Sequence, residues 1–235
     1  MAETLLPETF RKSSEKIVSY SWESFADRTG YIILYGGMLG ETTEQGTTST
    51  NKYILSQNQF FSSDIILEAS TGVVSGETFA KYETVEKDFD LSPFKITTTL
   101  YGKGLIKNGF TIKSNNLNRN IRVKLKYILK KVSSGVESEI CSNFSEMLQT
   151  TSLNYGTAVQ FVSLQLDVPK TLFKVGDFLR LTVEVWASED TDLNNVGGIR
   201  IGTDPQNRDD TYLTPSTNNT HTTQLIFYCP FEIQE

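Results

Sequence analysis

Histidine-based catalysis in this 235-residue chain would depend on one residue, His221. His221 is the only histidine, and it lies in residues 218–223, which otherwise contain only Asn and Thr. The chain contains neither the G-x-S-x-G nor the H-E-x-x-H motif. We therefore interpret His221 as a solvated loop residue and predict that the chain is not an enzyme, with no catalytic residue assigned.

Acidic residues cluster toward the C-terminal third, where a glycosidase-like carboxylate pair is worth considering. A catalytic carboxylic acid usually lies near apolar groups that raise its pKa. These residues instead lie among Ser, Thr and Asn. This favours an interpretation as solvated, charged carboxylates over a catalytic pair. The cluster comprises Glu189, Asp190, Asp192, Asp204, Asp209 and Asp210.

Asp190, Asp192 and Asn194 place side-chain oxygens at alternate positions, like the start of a calcium loop. An EF-hand would continue with Gly at the sixth position and Glu at the twelfth, where this chain has Asn195 and Ile201. An EF-hand is therefore excluded, and a looser calcium site in these oxygen-rich loops stays open. A zinc site lacks ligand spacing. We predict no cofactor and assign no metal ligand.

Composition and charge narrow the functional classes. The net charge is −6, which opposes direct binding to a phosphate backbone. No apolar run reaches the roughly 18 residues of a membrane span, and the N-terminus lacks the apolar region of a signal peptide. We interpret Cys141 and Cys229 as two buried thiols in a protein made in a reducing compartment, with a disulfide between them as the alternative. We expect synthesis in the cytoplasm and no membrane contact.

The dominant hydrophobic pattern has a period of two, which indicates β-strands with one face in a core. It is clearest in residues 121–127, 178–186 and 225–233, where apolar residues alternate with polar or charged ones. Aromatic residues make up 11% of the chain and favour a sizeable core. The residues predicted to be buried are Val123, Leu125, Leu179, Leu181, Val183, Val185, Leu225 and Phe227.

Glycine and asparagine mark the turns between these strands. Asn108-Gly109 and Ser134-Gly135 are typical of hairpin tips. Residues 102–104 and 174–177 also have the composition of tight turns. Many short strands with such turns between them predict a sandwich or barrel.

Helical signals are weak. Residues 77–89 and 142–148 could each form a short helix, but neither has a long apolar stripe. Pro230 interrupts the last strand and predicts a sheet edge or a bulge. We predict an all-β fold: an antiparallel β-sandwich of jelly-roll type, with an N-terminal arm at residues 1–16 and a single domain at residues 17–235.

A resemblance to known proteins rests on the C-terminal part of the chain. Residues 168–186 read VPKTLFKVGDFLRLTVEVW, residues 203–208 read TDPQNR, and residues 223–233 read TQLIFYCPFEI. This order of strand and turn segments resembles that of β-sandwich virion proteins of tailed phages and related viruses. The resemblance implies a structural protein located in the virion, such as a capsid decoration or head-associated protein.

Two groups of residues are candidates for assembly. The arm carries Leu5, Leu6 and Phe10 but has no hydrophobic core of its own. These side chains are therefore expected to be buried against another surface. Arg122, Lys124 and Lys126 form the basic side of a predicted strand. That side is either a solvated outer face or a docking surface for an acidic partner. We expect a homo-oligomer, with a trimer favoured, that contacts other capsid proteins.

A carbohydrate-binding, lectin-like module is the alternative function. It would stack sugar rings on exposed aromatic side chains, for which Tyr155, Trp186 and Tyr212 are the candidates.

Overall fold

The structure is a computed structural model that describes residues 18–19, 29–42, 49–58, 65–69, 80–114, 121–149, 158–189, 199–203 and 224–232. The described residues contain strands and connections and no helix. The thirteen strands are β1 (Val18–Ser19), β2 (Thr29–Thr42), β3 (Ser49–Ser56), β4 (Ile65–Ala69), β5 (Ala80–Leu91), β6 (Thr98–Ser114), β7 (Ile121–Ser133), β8 (Val136–Phe144), β9 (Leu148–Gln149), β10 (Ala158–Phe173), β11 (Phe178–Glu189), β12 (Ile199–Thr203) and β13 (Gln224–Glu232).

All thirteen strands belong to one sheet. Its hydrogen-bonded order is β4-β12-β6-β13-β2-β3-β5-β11-β7-β8, while β10 pairs with β6, β1 with β2 and β9 with β7. The β3–β5 pair is parallel and the other pairs are antiparallel, so the sheet is mixed. The all-β prediction is confirmed. The jelly-roll arrangement is not confirmed.

The sheet curls until β8 and β10 lie side by side, which nearly closes it into a barrel. No ladder joins these two strands among the described residues, and side chains bridge them instead. The Asn143 side-chain amide donates to the Gln165 carbonyl at 3.2 Å. A further bond joins β7 to β10, because the Lys131 ammonium donates to the Leu172 carbonyl at 2.7 Å.

The alternating residues of the strands fill the interior, as the period-two pattern predicted. All eight residues predicted to be buried are at most 1% exposed. Tyr127, Phe89 and Phe173 are the bulkiest of the fully buried side chains in the described part of the chain. The predicted register is therefore correct for β7, β11 and β13, because a one-residue shift would have turned these side chains outward.

Two predicted hairpin tips have different outcomes. The Ser134-Gly135 turn joins β7 and β8, and both residues have positive φ, 51° and 80°, as a tight hairpin turn requires. Asn108-Gly109 instead lies inside the long strand β6, so that prediction was wrong. The Asn108 side chain is drawn into the core by a hydrogen bond to Tyr127, which outweighs its local turn preference.

The predicted turn at residues 102–104 is also wrong, because β6 runs through it. Gly104 serves close packing: a Cβ atom there would lie 2.9 Å from the Phe227 ring. Such a contact is too short for any side chain to occupy without movement. The turn at residues 174–177 is confirmed, with Gly176 at φ 91°.

The two weak helix predictions are wrong. Residues 80–89 belong to β5, and residues 142–144 belong to β8. β13 lies between β2 and β6 in the sheet order, but at Pro230 it pairs with β2 alone, so the predicted edge is found locally. The β13–β6 ladder ends at Tyr228–Leu105, so the missing N–H of Pro230 falls beyond it. The predicted N-terminal arm lies outside the described residues, and the single-domain boundary stays a prediction.

Candidate functional site

The residues proposed from sequence divide into two sets. Leu5, Leu6, Phe10, His221 and the acidic loop from Asp190 onward lie outside the described residues. Arg122, Lys124 and Lys126 are described, and they follow one another at alternate positions on the outer side of β7, where each is half-buried. The strand carrying them is central in the sheet, between β11 and β8, rather than an edge.

Aromatic side chains lie beside these lysines. In the register of the sheet, Lys126 is opposite Phe144 of β8 on one side and Glu184 of β11 on the other. Lys124 is opposite Trp186 in the same way. The strand register thus brings residues distant in sequence to one outer surface.

The rings of Phe144 and Trp186 are in edge-to-face contact, with centroids 5.5 Å apart and planes at 78°. The Lys126 ammonium lies 5.7 Å from the centre of the Phe144 ring, within cation–π range. Met147 lies in the short connection between Phe144, where β8 ends, and Leu148 of β9, which is paired with Val123 in β7. Phe144 and Met147 are 40% and 48% exposed. We call Lys124, Lys126, Phe144, Met147 and Trp186 the outer aromatic face.

A buried carboxylate orients Trp186. Glu184 accepts a hydrogen bond from the indole N–H at 2.9 Å and pairs with the Lys81 ammonium at 2.8 Å. Burial opposes ionisation of Glu184, but the bonds from Lys81 and Trp186 outweigh it and keep the pKa of this carboxyl below its usual value. The indole is therefore fixed by a charge-assisted bond.

Next to this face, Arg180 of β11 holds three strands together. Its guanidinium forms a two-point contact with Asp90 of β5 at 2.6 and 2.7 Å and also binds Glu137 of β8 and Asp88 of β5. The bonds with Asp90 raise the pKa of Arg180. Planar two-point pairing restricts the positions of both side chains. These contacts link β5, β8 and β11 to one another near the start of β11.

A second polar cluster ties the β10–β11 turn to the barrel end. The Asp177 carboxylate accepts from the Lys131 ammonium at 2.9 Å and from the Lys174 backbone N–H at 2.8 Å. A hydrogen bond from Ser133, together with these contacts, lowers the pKa of Asp177 to about 2. Phe94 adds backbone bonds in both directions, to Asp177 and from Gly176. This cluster is structural.

The resolved pKa shifts keep three carboxyl groups ionised and two thiols protonated at neutral pH. Hydrogen bonds from Lys130 lower the pKa of Glu137, as the contacts above lower those of Glu184 and Asp177. Burial raises the pKa of the Cys141 thiol to about 11 and that of Cys229 further. Both cysteines are free thiols; Cys229 is buried as predicted, whereas Cys141 is only half-buried. No group of three or more metal-ligating side chains occurs in the described ranges.

Sequence reasoning missed Phe144 and Met147 because their spacing of three residues suits a helix as well as an irregular strand end. The usable signal was the continuation of the β8 alternation after the Ser134-Gly135 turn. Trp186 was identified, as an aromatic residue on a polar strand face. In the described part of the chain, no helix is long and apolar enough to span a membrane.

No protein-family model matches the chain, and no curated protein matches it. Solved structures do align with 86% of the chain. They include a CocE/NonD family hydrolase from Staphylococcus aureus (14% identity, TM-score 0.42, 37% of that chain covered). They also include an alpha-amino acid ester hydrolase (10% identity, TM-score 0.45, 36% of that chain covered). A third is an aminopeptidase from a marine sediment Thaumarchaeota archaeon (11% identity, TM-score 0.41, 37% of that chain covered). A structure of infectious bursal disease virus, Gx strain, aligns at 5% identity with TM-score 0.24, covering 56% of that chain.

These comparisons contradict two predictions, that the chain is a structural virion protein and that it is not an enzyme. The structures with the higher TM-scores are called hydrolases or an aminopeptidase, whereas the viral structure aligns far less well. The virion assignment is therefore wrong. The chain spans less than two fifths of the length of those hydrolases, and TM-scores below 0.5 assign no activity to it. The predictions on oligomeric state, partners and location stay predictions.

Proposed function

We propose that this chain recognises another protein, and that it does so through the outer aromatic face. The partner segment would be apolar and acidic. The observation that carries the proposal is the group formed by exposed Phe144 and Met147 and half-buried Trp186 beside Lys126 on the outer side of the sheet.

The composition of the face supports a protein partner. Aromatic residues and methionine are enriched in the centres of protein–protein interfaces, and tryptophan is among the commonest residues that dominate binding energy. Phe144 and Met147 keep 40% and 48% of their surface exposed, so burial against a partner would be favourable.

Charge defines the second property of the partner. Lys126 contacts the Phe144 ring and has no hydrogen-bonded carboxylate among the described residues, although its charge acts on Glu184 at longer range. An ammonium group has three donors, and a partner carboxylate would satisfy them. On a chain of net charge −6, a local positive group beside an apolar surface selects for acidic partners.

The order of the face also supports recognition. Glu184 holds the Trp186 indole in one orientation, so little freedom of this side chain remains to be lost on binding. The same geometry argues against sugar stacking as the main role. The two rings stand at 78° to each other and do not form one flat platform.

The experiment is a selection of binders from a random peptide library displayed on phage, with the purified chain as bait. We expect the selected peptides to be acidic and apolar. We expect Phe144→Ala and Lys126→Glu each to weaken their binding by about tenfold or more, measured by fluorescence anisotropy.

Ile96→Ala is the control, because Ile96 is 71% exposed and lies on the β5–β6 connection, away from this face. It should leave the affinity unchanged. If no binders emerge, or if they bind the Phe144 and Lys126 variants as well as the original chain, the proposed function is wrong.

A further inference from the structure

We infer that the partner segment binds as an extended strand added to the free edge of β10, at residues 159–163, with its acidic side chains reaching toward Lys126. This inference rests on the proposed function and specifies the conformation of the partner. The backbone N–H and C=O groups of β10 point alternately to its two edges.

The two edges of β10 differ in their pairing. One edge of this strand pairs with β6 from Ala158 to Phe173, and no described strand pairs with the other edge. The Gln165 carbonyl accepts its bond from Asn143 of β8, so this carbonyl points away from β6. Because the N–H and C=O of alternate residues point to the same edge, those of Ser163, Phe161 and Val159 also point to the free edge.

A second bond confirms this assignment. A bulge between Val168 and Thr171 adds one residue to β10 and reverses the alternation beyond it. After the bulge, even-numbered residues should point to the free edge. The Leu172 carbonyl does so, because it accepts a bond from the Lys131 ammonium.

These two bonds also divide the edge into two halves. From Gln165 to Leu172 the edge lies against β8 and is bridged by side chains of Asn143 and Lys131. From Val159 to Ser163 no described strand pairs with it. An edge with unpaired backbone groups is a template for another strand, and this is how many domains bind extended peptides.

The open half lies close to the outer aromatic face. Gln165 contacts Asn143, the neighbour of Phe144, and Phe161 is four residues further along β10, a distance of roughly 13 Å in an extended strand. Phe161 is 72% exposed, and the inward side chains Val162 and Leu166 show that it faces outward, as Phe144 does. A strand added here would run between Phe161 and the outer aromatic face.

The charges along β10 identify the occupant. Residues 158–168 contain no Lys or Arg and a single acidic residue, Asp167. Pairing of two copies of this edge would therefore bring no opposing charges together and would leave Lys126 without a carboxylate. An acidic, extended segment of a different protein satisfies both the backbone groups and the ammonium.

The test compares Ser163→Pro with Ser163→Ala, using the peptides selected from the phage library. Proline removes the N–H that points to the free edge, and it is tolerated on edge strands where that N–H faces solvent. Alanine removes only the hydroxyl and keeps the N–H. We expect the proline variant to lose about tenfold or more in peptide affinity and the alanine variant to keep it. Circular dichroism and urea unfolding establish that both variants are folded.

The outcomes separate this inference from the proposed function. If Phe144→Ala weakens binding and Ser163→Pro does not, the face binds partners but strand addition is wrong. Selected peptides that contain proline at every second position would also overturn it, as would a chain that dimerises and loses its dimer in Ser163→Pro. If neither substitution has an effect, both proposals fail.

Discussion

The side-chain amide of Asn108 donates a 2.8 Å hydrogen bond to the phenol oxygen of Tyr127 inside the hydrophobic core. Asn108 is in β6 and Tyr127 is in β7, and these strands are not neighbours in the sheet. The bond therefore crosses the interior. Burial raises the pKa of Tyr127, and the Asn108 bond only partly opposes this, so the phenol stays neutral.

Tyr127→Phe should destabilise the fold by about 1–3 kcal/mol, because it leaves the Asn108 amide buried without its acceptor. Urea unfolding measures the change. The double variant Asn108→Leu with Tyr127→Phe removes both polar groups and should recover part of the loss. If Tyr127→Phe costs nothing, or if the two substitutions are simply additive, the bond does not contribute to stability.

Asp177 should make the stability depend on pH in acid. Its pKa is lowered from 3.8 to about 2 in the folded chain, so its contribution is present above the unfolded pKa. That contribution is lost as the pH falls through the folded pKa. The free energy of unfolding should therefore decrease between about pH 4 and about pH 2, and this decrease should be smaller in Asp177→Asn. Equal decreases in both proteins would contradict the assignment.

Arg180→Lys should destabilise the chain by about 1–3 kcal/mol, because lysine cannot reproduce the two-point contact with Asp90. The comparison is Lys170→Ala, which breaks an exposed ion pair with Glu232. An exposed pair contributes about 0–1 kcal/mol. Chemical denaturation of both variants tests the ranking, and a larger loss in the Lys170 variant would reverse it.

Gly104→Ala should cost about 1–3 kcal/mol, since the added methyl would lie 2.9 Å from the Phe227 ring. The same substitution should cost less in a Phe227→Leu background, where the ring is absent. Thermal unfolding of the four proteins tests this. A cost that is independent of residue 227 would mean that backbone conformation, not packing, requires the glycine.

Amide hydrogen exchange should alternate along β10 in the free chain. Val162 and Leu164 direct their N–H groups to β6 and should exchange slowly, whereas Phe161 and Ser163 direct theirs to the free edge and should exchange fast. NMR spectroscopy resolves the individual amides. Uniform protection from Phe161 to Leu164 would show that this edge is already paired.

The strands and their inward faces could be predicted because alternation is a local property. Val123, Leu125, Leu179 and Leu181 needed only their own neighbours in sequence to be assigned to the core. The sheet order could not be predicted in this way, because it depends on pairings such as β11 with β5, which are far apart in the chain. Asn108 shows the limit: its turn preference was real, but Tyr127 decided its conformation.

The candidate site was only partly predictable for the same reason. Lys124, Lys126 and Trp186 were recognised as outward residues on their own strands. Their association with Phe144 follows from the register of β8, β7 and β11, which no local pattern in the sequence encodes.

The position of β13 has a consequence for how the chain folds. β13 begins at Gln224 and is hydrogen-bonded between β2, which begins at Thr29, and β6, which begins at Thr98. On a ribosome, β2 and β6 would emerge long before the strand that joins them. Folding dominated by such distant pairings is slow, on the order of milliseconds to seconds. The nascent chain would meanwhile expose the edges of β2 and β6 that later pair with β13, which is when a chaperone would be needed most.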